Sequence, residues 1–273
     1  MTRSLSLSTS SVQPLQAEAA FRAASQLGYG GVELMIAPGK DIKDVDHIKN
    51  LIQKYQIPVT SVHAPTLILC TFVWGMHPGQ KLNRSVEFAE EVGATSVVVH
   101  PPFKRTAYSS SFLEHVNQLN NDSFVDIAVE NMFPWAVKNQ SREMYGPSWE
   151  ETSETVDNLT FDFSHASLSG MDVLDFFKKY HSKVRIIHLT DGKIRTRSKG
   201  DSIADEHLLP GQGDMPIREV YELLNAQGWK GETVLEINTR KHRSLEAKFP
   251  ALQQSIDYFN QVANPTLVAL DAA

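Results

Sequence analysis

Six short apolar runs in this sequence end on a residue able to bind a metal ion or move a proton: Thr-Ser-Val-His63, Val-Val-Val-His100, Ile-Ala-Val-Glu130, Thr-Phe-Asp162, Ile-Ile-His188 and Val-Leu-Glu236. His165 stands three residues past Asp162, and Asp205 and His207 are two apart in a polar stretch. A charged or imidazole side chain at the end of a buried run is costly to desolvate unless it is paired or metal-bound. Imidazole nitrogen and carboxylate oxygen are ordinary ligands for zinc, and they also suit manganese. One such histidine alone reads as a hydrogen-bonded core residue, and one such glutamate as an ion-pair partner or helix cap. Repetition of the pattern points instead to a shared divalent-metal site. Asp205 and His207 can reach one ion from an extended loop, or His207 can hydrogen-bond a substrate hydroxyl or phosphate.

These residues need strands to carry them. Strand-like runs centre near Leu5, Val32, Val62, Val97, Ile127, Phe161, Ile186 and Val234. Between them lie helical patterns over Glu18–Leu27, Asp44–Tyr55, Lys81–Val92, Met171–Tyr180, Ile217–Gln227 and Leu245–Phe259. Gly28, Gly93 and Gly228 follow three of these, where a helix takes a left-handed cap. Ser96–Val99 is almost continuously apolar, as in a parallel strand buried on both faces. Eight strands alternating with helices in 273 residues predict an α/β fold, a single (β/α)8 TIM barrel, whose usual length is ~250 residues. An open doubly wound sheet would often carry a glycine-rich phosphate turn after its first strand, and none is present. The barrel is expected over 1–262, with 263–273 as a C-terminal tail that is either mobile or reaches a partner subunit of a homo-oligomer. Active sites of such barrels sit at the carboxyl ends of the strands, where the metal-binding residues fall. Two long connections, Asp191–Asp214 and Ala64–Gly79, are read as functional loops.

The formal net charge is −6, which favours a small-molecule substrate over a nucleic acid. One compact basic run, Lys193, Arg195, Arg197 and Lys199, is either a solvated loop or a phosphate contact. The single cysteine, Cys70, cannot pair within the chain. No basic-then-apolar leader opens the sequence, and the most apolar stretch, Leu67 to Trp74, falls well short of the ~20 residues that span a bilayer. A cytoplasmic protein without membrane contact is expected.

The strand-end pattern resembles the xylose isomerase-like barrel superfamily, which unites sugar isomerases and epimerases with the endonuclease IV class of DNA repair enzymes. The resemblance runs from Ser6 to about Tyr258. It rests on Ser-Val-His63, Val-His100-Pro, Val-Glu130-Asn, Phe-Asp162-Phe-Ser-His165, His188-Leu-Thr-Asp191-Gly-Lys193, Asp205-Glu-His207 with Gly211-Gln-Gly213, and Leu-Glu236. Similarity to endonuclease IV implies three zinc ions. Glu130 would bridge two of them, His63 and His100 would complete the first site, and Asp162, His188 and Glu236 the second. His165, Asp205 and His207 would hold the third. Similarity to the epimerases implies one ion on Glu130, Asp162, His188 and Glu236, with Glu130 and Glu236 also the acid–base pair and His165 on a substrate hydroxyl.

The sequence departs from both patterns. The repair enzymes carry a duplex-wedging aromatic where Thr66 stands, and a polar run where this chain has Asn131-Met-Phe-Pro-Trp135. The second glutamate of many ketose epimerases is missing from that same segment. The expected function is a metal-dependent isomerase or epimerase of a sugar, sugar phosphate or polyol, using one to three ions, zinc before manganese. His165, Lys193 and Trp135 are its substrate contacts, and Met132, Phe133, Trp135, Phe72 and Trp74 an apolar lid. The alternative is an endonuclease IV-like trinuclear zinc phosphodiesterase acting on abasic DNA. A sensor that keeps its metal for structure is disfavoured by the retained carboxylates.

Overall fold

The computed structural model describes residues 3–66, 70–137, 140–194 and 205–265. The chain runs β1 (Leu5–Ser8), α1 (Ala17–Leu27), β2 (Gly31–Met35), α2 (Val45–Tyr55), β3 (Val59–His63), α3 (Pro78–Val92), β4 (Ser96–Val99) and α4 (Phe112–Asp122). It continues through β5 (Asp126–Glu130), β6 (Trp135–Val137), β7 (Gln140–Arg142), α5 (Trp149–Thr155), β8 (Leu159–Asp162), α6 (Phe163–Ser169) and α7 (Val173–Tyr180). It closes with β9 (Val184–Leu189), α8 (Ile217–Ala226), β10 (Glu232–Leu235) and α9 (Leu245–Ala263).

Eight of these strands pair in parallel as a closed barrel, in the order β1-β10-β9-β8-β5-β4-β3-β2. The expected (β/α)8 barrel is therefore what the chain forms. The eight expected strand centres all fall in barrel strands. Two strands the sequence did not announce, β6 and β7, form an antiparallel hairpin outside the barrel, with Trp135 opposite Arg142.

Strand periodicity builds the interior. Side chains two apart share a face, and Val98, Ala128, Ile186 and Val234 pack as one inner cluster. Two residues beyond each of them stand His100, Glu130, His188 and Glu236. The apolar layer thus aims the polar residues into the barrel at its carboxyl end. Phe161 of β8 and the helix residues Phe21, Phe88, Phe112, Phe177 and Phe259 are buried in the larger core cluster.

Several helix ends differ from the periodic pattern. Helix α3 starts at Pro78 rather than Lys81, because proline lacks only an N–H that the first turn leaves unpaired. Helix α7 starts at Val173 rather than Met171, since Asp172 caps it by accepting the Asp175 N–H. Helices α4, α5 and α6 are not among the helical patterns of the sequence; the last two are short, 7 residues each. Arg3 N–H donates to Asn264 Oδ1 at 2.7 Å and Asn264 Nδ2 donates back to the Arg3 carbonyl at 3.0 Å, tying both ends of the described chain. The tail beyond residue 265 lies outside the described residues. Among the described residues no helix is long and apolar enough to cross a membrane.

At the opposite, amino end of the barrel, Glu232 opens β10. Its Oε1 accepts the Thr95 hydroxyl at 2.9 Å, while Oε2 is buried without a partner. Burial pushes this carboxyl up to about 7. The folded state therefore holds the proton more tightly than the unfolded chain, whose glutamates titrate near ~4.3. The resulting stability is full at low pH and is lost as pH rises through about 7. Glu232→Gln is expected to raise Tm by roughly 2–5 °C at pH 8 and to change it by less than about 1 °C at pH 5, as read by differential scanning calorimetry.

Candidate metal centre

Consecutive strands of the barrel deliver the carboxylates. Glu130 ends β5, Asp162 ends β8, His188 lies near the end of β9, and Glu236 follows β10. His188 Nδ1 is 3.1 Å from Glu130 Oε1, 3.1 Å from Glu236 Oε2 and 3.7 Å from Asp162 Oδ2. On the other side of Glu130, Oε2 meets His63 Nε2 at 3.1 Å and His100 Nε2 at 2.8 Å. His63 ends β3 and His100 follows β4, so six neighbouring strands, β10-β9-β8-β5-β4-β3, bring their ends to this cluster.

A second knot adjoins the first. Asp162 caps α6 by accepting the His165 N–H at 2.7 Å, which sets the His165 ring over the strand ends. His165 Nδ1 lies 2.8 Å from the Asn131 carbonyl oxygen and its Nε2 3.2 Å from Asp205 Oδ2. The same Asp205 oxygen is 2.7 Å from His207 Nε2, and Asp205 Oδ1 accepts the Ser164 hydroxyl at 2.5 Å. All nine residues singled out as metal ligands are thus joined in one network.

Its electrostatics alternate in sign. Burial alone would raise the Glu130 carboxyl, but the His188 and His100 charges outweigh it and hold the group well below the usual range. Burial opposes protonation of His188 and His165, yet facing carboxylates lift both well above an ordinary histidine. His207 is lifted to about 10 against burial, chiefly by Asp205, whereas burial prevails at His100 and takes it down to about 4. Burial likewise raises Glu236. Cationic imidazoles here neutralise clustered carboxylates, which is the task a divalent ion performs.

The donor set fits such an ion. Asp162 Oδ2 is buried without a hydrogen-bond partner, a costly state unless a cation adjoins it. Three groups bring their donor atoms within 4.8 Å of one another: His63 with Glu130 and His188; Asp162 with His165 and His207; and Glu33 with His188 and Glu236.

The remaining expectations divide. Trp135 stands in an aromatic wall, edge-on to Phe103 at 5.6 Å and to Tyr145 at 6.1 Å, with Phe103 stacked on Tyr145 at 5.1 Å. Phe133 reaches the centre itself, 5.1 Å from the His165 ring. Lys193 is exposed, and its backbone N–H lies 3.4 Å from Glu206 Oε2. Trp74 packs on Phe88 with the Arg84 guanidinium over its ring, so it is a packing residue rather than part of a lid. Phe72 projects into solvent, 83 % exposed. Arg195, Arg197 and Lys199 lie outside the described residues.

Three supporting residues have no role in the sequence reading. Asn131 clasps Asp162, accepting its N–H at 2.7 Å and donating to its carbonyl at 2.9 Å. Glu33 sits inside β2 rather than at its end, and only the acid within Val32-Glu33-Leu34 hinted at it. Asp191 accepts the backbone N–H groups of Gly192 and Gly211 at 2.9 Å, Gly213 at 2.9 Å and Met215 at 3.2 Å. A Cβ on Gly213 would fall 2.2 Å from Asp191 Oδ1, so only glycine admits that approach. Asp191 also pairs by two backbone hydrogen bonds with Leu208, next to His207.

Residues 21–262 match the family model described as xylose isomerase-like TIM barrel. The chain belongs to the xylose isomerase-like TIM barrel family. An uncharacterized protein of Mycobacterium tuberculosis is 39 % identical over 272 residues, covering 92 % of this chain and 95 % of its own. Fructoselysine 3-epimerase of Shigella flexneri is 23 % identical over 250 residues, covering 83 % of this chain and 87 % of its own. Among solved structures, the IolI protein with a bound zinc atom superimposes with a TM-score of 0.72 at 16 % identity, covering 95 % of this chain and 99 % of that one. That last likeness is one of fold.

Replacing Asp191 with alanine removes the acceptor for four backbone N–H groups, a loss of about 2–4 kcal/mol at ordinary hydrogen-bond worth. Asp191→Ala is expected to lower Tm by at least ~5 °C, and to speed proteolytic cleavage between residues 205 and 215. A melt and a cleavage pattern like those of the unsubstituted protein would show that the loop does not depend on this carboxylate.

Proposed function

We propose that this barrel is a metal-dependent isomerase or epimerase acting on a small sugar, sugar phosphate or polyol. The observation that carries the reading is the arc of Glu130, Asp162, His188 and Glu236 on successive barrel strands, closing on an Asp162 oxygen that has no hydrogen-bond partner. An epimerase among the relatives and a zinc-containing structure among the neighbours support it. A zinc or manganese ion on those four residues would supply Lewis acidity toward a substrate oxygen.

This chain's own groups handle the protons. Glu130, held anionic, removes the proton from a carbon next to a carbonyl, and Glu236, whose carboxyl is raised, returns one. Carboxylates whose environments push them apart in acidity are suited to such a division. His165 hydrogen-bonds a substrate hydroxyl, Phe133 and Trp135 exclude water, and Lys193 at the mouth meets a phosphate where the substrate has one. A cytoplasmic location and a homo-oligomeric state belong to the same reading.

A second reading rests on a specific observation. His63, His100, His165, Asp205 and His207 complete a nine-donor set, more than one ion needs. The matching alternative is a trinuclear zinc phosphodiesterase on abasic DNA. The net charge of −6 and Thr66 in place of an aromatic wedge weigh toward the sugar.

Metal content of protein purified without added metal or chelator, by inductively coupled plasma mass spectrometry, is expected near one ion per chain. Near three zinc ions, together with nicking of an abasic duplex, would move the second reading to the front; no metal before or after dialysis against zinc or manganese would end both. Incubation with a ketose and sugar-phosphate panel in D2O should incorporate deuterium at the carbon beside the carbonyl. Glu236→Gln should slow that exchange by about 10²–10⁴-fold.

A further inference from the structure

Strand β2 brings no ligand to the rim. Its Met35 is the residue in register with His63. Its acid, Glu33, lies one layer lower, in register with Ser61 on one side and Ser8 on the other. The Glu33 side chain is 0 % exposed. Its Oε2 accepts the Ser61 hydroxyl at 2.8 Å and lies 3.3 Å from His188 Nε2; its Oε1 is buried without a hydrogen-bond partner. No lysine or arginine compensates it in any ion pair among the described residues; its one pairing there is with His188.

A carboxylate in the middle of a barrel has no packing advantage over an apolar residue and carries a large desolvation cost. What it touches gives it a purpose. The His188 ring has two nitrogens on different edges. Nδ1 faces Glu130, Asp162 and Glu236, and Nε2 faces Glu33 alone among the carboxylates within ion-pair distance. A ligand histidine that donates its second N–H to a carboxylate is held in one tautomer and one orientation, and its ligating nitrogen becomes more basic.

We propose that Glu33 is a positioning residue for the metal centre: it takes the Nε2–H of His188, so that Nδ1 presents its lone pair to an ion shared with Glu130, Asp162 and Glu236. Ser61 fixes the Glu33 oxygen that does so. This rests on the metal-centre reading of the preceding section. It differs from the other arrangement the donors permit, in which Glu33, His188 and Glu236 ligate an ion through Nε2.

Zinc and cobalt(II) are the probes. Wild-type protein is first titrated with each; if it binds neither, the metal-centre reading fails before Glu33 is tested at all. If it binds, Glu33→Gln is expected to keep the same number of ions and to bind zinc about 10–100-fold more weakly. The visible spectrum of its cobalt form should shift, while the Tm of the metal-free variant stays level or rises. A merely structural Glu33 would reverse this, lowering the metal-free Tm and leaving zinc affinity and cobalt spectrum unmoved. Loss of one whole equivalent of metal would make Glu33 a ligand. Either result overturns the proposal. Should Glu33→Gln not fold, long-range ¹⁵N NMR of histidine in the zinc-loaded wild type decides the point. Protonated Nε2 with metal on Nδ1 of His188 is expected; protonated Nδ1 with metal on Nε2 would refute it.

Discussion

Four carboxylates, Glu33, Glu130, Asp162 and Glu236, are buried within one cluster at the carboxyl end of the barrel, and that charge must be compensated. All four are buried, and no lysine or arginine pairs with any of them among the described ion pairs. Imidazoles therefore surround them, with Glu130 alone facing His63, His100, His165 and His188. Such an arrangement is expensive as pure scaffolding, because an uncompensated buried charge costs several kcal/mol. It becomes economical once divalent cations are the intended counter-charge.

The surroundings follow from holding that cluster still. Below it, Val98, Ala128, Ile186 and Val234 fill the barrel and leave no room for the polar layer to sink. Beside it, Asn131 locks Asp162 through two hydrogen bonds, and Asp162 in turn orients His165 as the cap of α6. Above it, Asp191 gathers four backbone N–H groups into a turn and pairs with Leu208, so that His207 and Asp205 are carried on a braced segment rather than a free loop. Rigid ligand placement of this kind is what discriminates a working metal site from a collection of polar residues.

The aromatic wall of Phe103, Trp135 and Tyr145 comes from two different connections, bridged by backbone pairing of Phe103 with Tyr145. Loops that pack on each other in this way close one side of the barrel mouth. Barrels diversify chiefly through such loops, and the segment carrying Trp135 is where this sequence departs from both enzyme classes it resembles.

The sequence alone determined the barrel and the candidate metal-binding residues at its strand ends. Each buried strand reads as an apolar run, and a period of two places its terminal His, Asp or Glu on the interior face whatever its neighbours are. That made His63, His100, Glu130, Asp162, His188 and Glu236 legible one strand at a time. Glu33 was not legible, because an acid inside a strand has no positional signature: its meaning lies in a contact with His188, 155 residues away. The same holds for Asp191, three of whose backbone N–H donors lie 20, 22 and 24 residues downstream, and for the β6–β7 hairpin, too short to show a period. Trp74 was misplaced in a lid because composition cannot tell an aromatic on a loop from one folded back onto a helix. Local pattern is a property of neighbours in the chain; charge compensation and second contacts are properties of neighbours in space, and only closure of the barrel brought those together.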